Sequence, residues 1–205
     1  MIKAVIFDMD GVLVDSLDAG VKFFGDILEK AGYRKPTKSE MEAMFHMNRK
    51  DILKTIAKTD SDKEIDRIME VSETVEYPEY LLSTSDEVKK VVEDLSKKYP
   101  LAVVTTRMRK TTESCFNVSG LKKFFNVIVS YEDTEKHKPN PEPLLFAVER
   151  LGIKPSEAVY IGDMESDMKA AKSAGMKIII YSKKAINGAD YNTESFKKIP
   201  VIIEN

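Results

Sequence analysis

Cys115 is the only cysteine in this 205-residue chain, which excludes an internal disulfide and leaves nothing at odds with a reducing cytosol. No base lies beside it, so it reads as a small core residue rather than a nucleophile. An excess of one charge is also lacking: 32 basic against 34 acidic residues give a net charge of −2, with no sequence-wide basic footprint for a nucleic-acid polymer. No apolar stretch approaches the roughly 20 residues that cross a bilayer. The first strand-like run begins almost at residue 1 and acids interrupt it, so no cleavable signal is expected and a cytoplasmic location is. Internal repeats and low-complexity tracts are absent, and no membrane association or obligate protein partner is indicated. The length exceeds one average domain and predicts one domain with a small insertion.

What is present concentrates at the start of the chain. Ala4-Val5-Ile6-Phe7-Asp8-Met9-Asp10-Gly11-Val12 sets two carboxylates one residue apart, directly after an apolar run without helical spacing. Such a run reads as a central parallel strand, and its carboxyl end is where an open α/β sheet delivers side chains to a ligand. Gly11 lets the backbone leave the strand sharply. Two acids so close repel as anions, and relief comes from a divalent cation or from a proton kept on one of them. The pair can equally be solvated turn acids at a strand end. Beside a hard cation, one carboxylate can attack phosphorus while the other protonates the leaving oxygen.

Two further strands point the same way. Leu101 to Val104 ends in Thr105-Thr106-Arg107, and Ala158-Val159-Tyr160-Ile161 ends in Gly162-Asp163, with Asp167 four residues on. In the opening turn of a helix, acids at i and i+4 share a face, near the positive end of the dipole. Between these strands, Lys136-His137-Lys138-Pro139-Asn140-Pro141-Glu142-Pro143 cannot be a regular helix, because its prolines remove donors and restrict their neighbours. A lysine fixed in that loop can balance clustered carboxylates and a phosphate, or simply be solvated.

In that order, these segments resemble the four motifs of the haloacid dehalogenase superfamily of phosphohydrolases, and the resemblance spans nearly the whole chain. Asp8-Met9-Asp10-Gly11-Val12 is similar to the first motif and Val103-Val104-Thr105-Thr106 to the second. Lys138-Pro139 is similar to the third and Gly162-Asp163-Met164-Glu165-Ser166-Asp167 to the fourth. The resemblance implies that Asp8 is a nucleophile forming an aspartyl phosphate and Asp10 the acid/base. Thr105 and Lys138 would contact the phosphoryl group, and Thr106 is a further candidate for substrate binding. Mg²⁺ would be held by Asp8, the Asp10 carbonyl and Asp163, with Asp167 reaching it directly or through water. The second acid, Asp10, favours phosphomonoester chemistry.

The implied fold class is α/β: a doubly wound parallel sheet, the Rossmannoid core of this family, with a small all-helical cap inserted after the first strand. Core residues are expected at 1–15 and 84–205 and the cap at 16–83. In the insertion, apolar residues such as Val21, Phe24, Ile27, Leu28, Ala31 and then Ile52, Leu53, Ile56 recur at helical spacing, and no strand-like run appears. Asp15 or Ser16 can cap the first helix and Gly32 can end it, while Thr37 to Glu40 reads as a capping box. Met41, Met44, Phe45 and Met47 read as packing, although methionine also suits an adaptable substrate surface. The core resumes with a helix around Glu87 to Lys98 and then alternates strand and helix.

Within the insertion, His46-Met47-Asn48-Arg49 is the candidate for substrate contact, since the Arg49 guanidinium can grip a phosphate or carboxylate bidentately or be a surface cation. His137 stands where relatives often have glycine before the third-motif lysine, and Thr106-Arg107 departs from the usual second motif. Ala19-Gly20-Val21 replaces the cap histidine by which the family's sugar-phosphate mutases resemble one another. Three readings follow. Hydrolysis of a small phosphorylated metabolite leads, followed by a phosphosugar mutase and by a catalytically idle binding module on the same fold.

Overall fold

Ala4–Phe7, four consecutive buried apolar residues, form the strand β1 of a sheet covered on both faces. The computed structural model describes residues 1–45 and 47–205. After β1 come four helices, α1 (Leu17–Lys30), α2 (Lys38–Met44), α3 (Arg49–Ala57) and α4 (Asp62–Glu73). There follow α5 (Asp86–Ser96), β2 (Leu101–Val104), α6 (Arg109–Ser119), β3 (Val127–Val129), α7 (Glu142–Leu151) and β4 (Ala158–Gly162). The chain ends with α8 (Glu165–Ala174), β5 (Lys177–Tyr181), β6 (Tyr191–Thr193) and α9 (Ile199–Glu204). It divides into two compact units, Met1–Val14 with Ser83–Asn205, and Asp15–Leu82.

The first unit carries a six-stranded sheet in the order β3-β2-β1-β4-β5-β6, every neighbouring pair parallel. This is the doubly wound α/β sheet expected from the strand–helix alternation. Ile6, Ala102, Val104, Tyr160, Ile178 and Ile180 share one cluster with Leu144 and Val148 of α7 and Ala170, Ala171 and Ala174 of α8. Strand alternation turns Phe7 to the other face, where its ring meets Phe125 edge-on at 6.0 Å and stacks on Phe196 at 6.3 Å. The edge strand β6 escapes the sequence pattern because Tyr191-Asn192-Thr193 has no apolar run, its first two residues being exposed.

In the second unit the helical spacing closes into one core: Phe23, Ile27 and Leu28 of α1, Met41 and Met44 of α2, Leu53 of α3, and Ile65 and Ile68 of α4. The methionines of α2 are therefore packing residues, with Phe45 and Met47 against the same cluster. The expected cap of α1 takes another form. Ser16 occupies the N-cap position without a side-chain capping bond, since its φ of −132° and ψ of 6° lie outside the extended geometry that aims a hydroxyl at the first turn. The end of α1 follows expectation: Gly32, at φ +86°, lets its own N–H and that of Tyr33 return to Glu29 (3.0 Å) and Leu28 (2.7 Å) carbonyls.

The capping box of α2 is complete. The Thr37 N–H donates to Glu40 Oε2 at 2.8 Å and the Glu40 N–H to Thr37 Oγ1 at 3.2 Å. Thr37→Ala removes one half of this exchange and should lower the unfolding free energy by about 1 kcal/mol in urea denaturation. An unchanged midpoint would contradict the assignment.

Candidate active site

Strand register brings three chain ends level. Phe7 pairs with Val103 of β2 and Ile161 of β4, so Asp8, Thr105 and Asp163 leave the sheet along one edge. The chain builds β1, β2 and β3 outward in one direction, and β4 returns to the opposite side of β1. At such a reversal the connections diverge and a crevice opens.

In that crevice Asp8 is buried, and its Oδ1 accepts the Met9 N–H at 2.7 Å while facing Lys138 Nζ at 2.9 Å. Lys138, only 9% exposed, is held in its proline-flanked loop and donates also to Asp167 Oδ1 at 2.7 Å and to the Tyr160 hydroxyl at 2.9 Å. Tyr160 in turn donates to Asp167 Oδ1 at 3.0 Å. The other oxygen of Asp167 accepts the N–H groups of Asp163 at 3.2 Å and Met164 at 3.1 Å. Asp167 thus ties the lysine, the tyrosine and the start of α8 together.

One sequence expectation needs correcting here. Asp163 and Asp167 do not share the opening turn of a helix: α8 begins at Glu165 with Met164 at its N-cap, and Asp163 lies before it. The two acids meet because the backbone turns tightly after β4. A Cβ on Gly162 would collide with Asp167, and one on Gly11, at φ +71°, would collide with Asp163 Oδ2. Close approach requires glycine at both positions, and at Gly11 the backbone shape requires it as well.

Thr105 is buried; its N–H donates to the Val129 carbonyl at 3.0 Å and its Oγ1 accepts the Arg107 N–H at 3.1 Å. Thr106 is half-buried beside it. Asp10 is gripped by Arg107, with Nε donating to Oδ2 at 2.8 Å and Nη2 to Oδ1 at 2.6 Å. Arg49 belongs to the helical unit, where Nη1 donates to Glu73 Oε1 at 2.8 Å and Ser72 Oγ at 3.1 Å and the guanidinium lies 5.5 Å from the Phe23 ring centre. His137 stacks on Tyr131 at 3.8 Å, and His46 lies outside the described residues.

Sequence reasoning missed two partners. Tyr160 sat inside an apolar strand pattern, where its hydroxyl was the unheeded sign that a polar group awaited it. Arg107 stands out in the sequence only as a departure in the second motif, and nothing local tells that it reaches back to Asp10, 97 residues earlier.

The electrostatics of the cluster fit a divalent cation. Burial pushes the Asp8 carboxyl up to about 7, Asp167 and Asp10 adding to the effect while Lys138 opposes it. Burial, followed by repulsion from Asp8 and Asp167, pushes Asp163 up to about 9. Burial works against the charge on Lys138, but Asp167 and Asp8 outweigh it and raise its pKa. One ammonium thus leaves negative charge unbalanced. Asp8, Asp163 and Asp167 each offer an oxygen within 4.8 Å of the others, the hard donor set that Mg²⁺ or Ca²⁺ takes.

A pH dependence follows. Both acids titrate above their ordinary value of 3.8, so the folded metal-free chain keeps protons that the unfolded chain has lost. That contribution to stability is lost as pH rises through about 7 and about 9. The melting temperature of EDTA-treated protein should reflect this loss between about pH 6 and 9, and added Mg²⁺ should raise it most at the upper end. A Mg²⁺ shift that shrinks with rising pH would contradict the site.

Residues 5–181 match the family model for haloacid dehalogenase-like hydrolases. Pyrophosphatase PpaX of Halalkalibacterium halodurans is 34% identical over 200 residues, covering 93% of this chain and 87% of that protein. The protein of the same name from Bacillus cereus is 32% identical over 178 residues, covering 86% and 81%. A solved HAD-superfamily hydrolase, subfamily IA, variant 1, from Geobacter sulfurreducens superposes with a TM-score of 0.76 at 25% identity, covering 98% and 96% of the two chains. CbbY from Rhodobacter sphaeroides, solved in complex with phosphate, shares the fold with a TM-score of 0.83 at 20% identity over 97% and 96%. The family model spans most of the chain and both curated relatives align across more than four-fifths of it; the chain belongs to the haloacid dehalogenase-like hydrolases.

Proposed function

We propose that this hydrolase is a Mg²⁺-dependent phosphatase that takes the phosphoryl group of a small metabolite onto Asp8 and then delivers it to water. The observation that carries the reading is the buried Asp8–Lys138–Asp167 network with Asp163 beside it, at the switch point of the sheet. Asp8, Asp163 and the Asp10 carbonyl would hold Mg²⁺, with Asp167 close by; when bound, the ion supplies charge neutralisation at the phosphoryl oxygens.

The chain's own residues supply the rest. Asp8 Oδ1 is fixed by Lys138 and the Met9 N–H, which orients the carboxylate for attack on phosphorus. As the new Asp8–phosphorus bond forms, the bond from phosphorus to the leaving oxygen breaks, and that oxygen takes the proton that Asp10 picks up from solvent once it has parted from Arg107. Asp10, now a base, takes a proton from water; the water oxygen bonds to phosphorus and the Asp8 carboxylate departs. Lys138 and the Thr105 hydroxyl offset charge on the phosphoryl oxygens throughout.

The two relatives named as pyrophosphatases make inorganic pyrophosphate the first substrate to try, ahead of phosphoglycolate, sugar phosphates and nucleotides. The helical unit, residues 15–82, is proposed to be the cap that selects the leaving group. To serve as the substrate cation of that unit, Arg49 would exchange Glu73 for a substrate anion. Among the described residues no helix is long and apolar enough to cross a membrane.

Phosphate release from that panel, with Mg²⁺ or EDTA, tests the reading. Release should require the metal and fall at least about 10⁴-fold in Asp8→Asn. Lys138→Ala should cost about 10²- to 10³-fold and Asp10→Asn about 10²- to 10⁴-fold. Undiminished release by Asp8→Asn would sink the proposal; transfer to a sugar hydroxyl instead of water would turn it toward a mutase.

A further inference from the structure

We propose that Arg107 is the residue by which this site selects substrates whose leaving group is itself an anion, a second phosphate above all; the inference rests on the phosphatase reading. Arg107 meets Asp10 through two parallel bonds, and the two side chains are only 11% and 16% exposed. Its backbone is fixed as well: the Arg107 N–H donates to Thr105 Oγ1 at 3.1 Å and its carbonyl accepts the Tyr131 N–H at 2.8 Å. The turn after β2 therefore aims the guanidinium across the sheet edge at the end of β1.

A fork-to-fork pair of this kind is directional, and it engages both oxygens of Asp10. Each oxygen already accepts a guanidinium N–H, so Asp10 is held toward Arg107 and away from a leaving group. An uncharged alcohol has no charge to offer the guanidinium in exchange. A leaving phosphate does: its oxygens match the same planar fork, and it carries at least as much charge as the carboxylate it displaces. For such a substrate, seating the leaving group and releasing Asp10 become one event. Lys138 is already committed to Asp8 and Asp167, so the two cations divide the work, Lys138 at the transferred phosphoryl group and Arg107 at the group that departs.

The test compares kcat/KM for inorganic pyrophosphate and glycerol phosphate, which carry the same transferable group on a charged and an uncharged leaving group, in wild type, R107M and R107K. Disturbance of Asp10 alone would lower glycerol phosphate more, because an alcohol is the poorer leaving group and depends more on the acid, and would so raise the preference for pyrophosphate, opposite to the change expected from loss of the Arg107 contact. The preference for pyrophosphate should fall about 100-fold in R107M and less in R107K, which keeps the charge but not the fork. An unchanged ratio overturns the inference. Calorimetric titration of the Asp8→Asn protein with pyrophosphate, with and without R107M, reads the same contact without turnover. Binding about 100-fold weaker supports the inference and equal binding overturns it. Absence of phosphate release by the wild type from either substrate would instead count against the phosphatase reading, and the titration would still decide the role of Arg107.

Discussion

An ammonium taken out of water costs several kcal/mol unless carboxylates and hydrogen bonds replace its hydration. Lys138 is buried with such replacements in place, Asp8 at 2.9 Å, Asp167 at 2.7 Å and the Tyr160 hydroxyl at 2.9 Å. Each partner is itself held. Met9 donates to Asp8, Tyr160 and the N–H groups of Asp163 and Met164 donate to Asp167, and the tyrosine ring stands in the sheet core. Each member's bonds restrict the positions of the others, so the network fixes its own geometry. That rigidity is what phosphoryl transfer asks of a protein, since most of the catalysis is positioning and charge stabilisation.

The sheet explains why these groups meet at all. Asp8 follows β1 and Asp163 follows β4, strands 154 residues apart in sequence at their paired ends Phe7 and Ile161, yet adjacent in the sheet. Gly162 and Gly11 then allow approaches that a Cβ would block. The price of the arrangement is electrostatic: buried acids that cannot all ionise comfortably, their pKa values pushed to about 7 and about 9. A cation would relieve that repulsion, so the strain among the acids and the proposed metal dependence have one cause.

Much of this was legible in the sequence because its signals are local. The apolar runs of β1, β2 and β4, the acids and hydroxyl at their ends, the prolines after Lys138 and the Thr37–Glu40 box each announce themselves within a few residues. What escaped depends on distance or on contrary local signals. The bond from Arg107 to Asp10 spans 97 residues, and Tyr160 looked like one more apolar strand residue until Lys138 and Asp167 came to its hydroxyl. Asp163 falls outside the opening turn of α8 because Gly162-Asp163-Met164 turns sharply before the helix begins. The edge strand β6 had too little buried surface to leave a pattern.

Under the proposed reaction the Lys138-oriented carboxylate of Asp8 becomes phosphorylated. Acid-quenched Asp10→Asn protein, mixed with pyrophosphate and Mg²⁺ and digested for mass spectrometry, addresses it directly. A phosphoryl group is expected on the peptide containing Asp8, absent when EDTA replaces Mg²⁺ or when Asp8 is asparagine. Phosphate release continuing while Asp8 stays unmodified at every time point would contradict it.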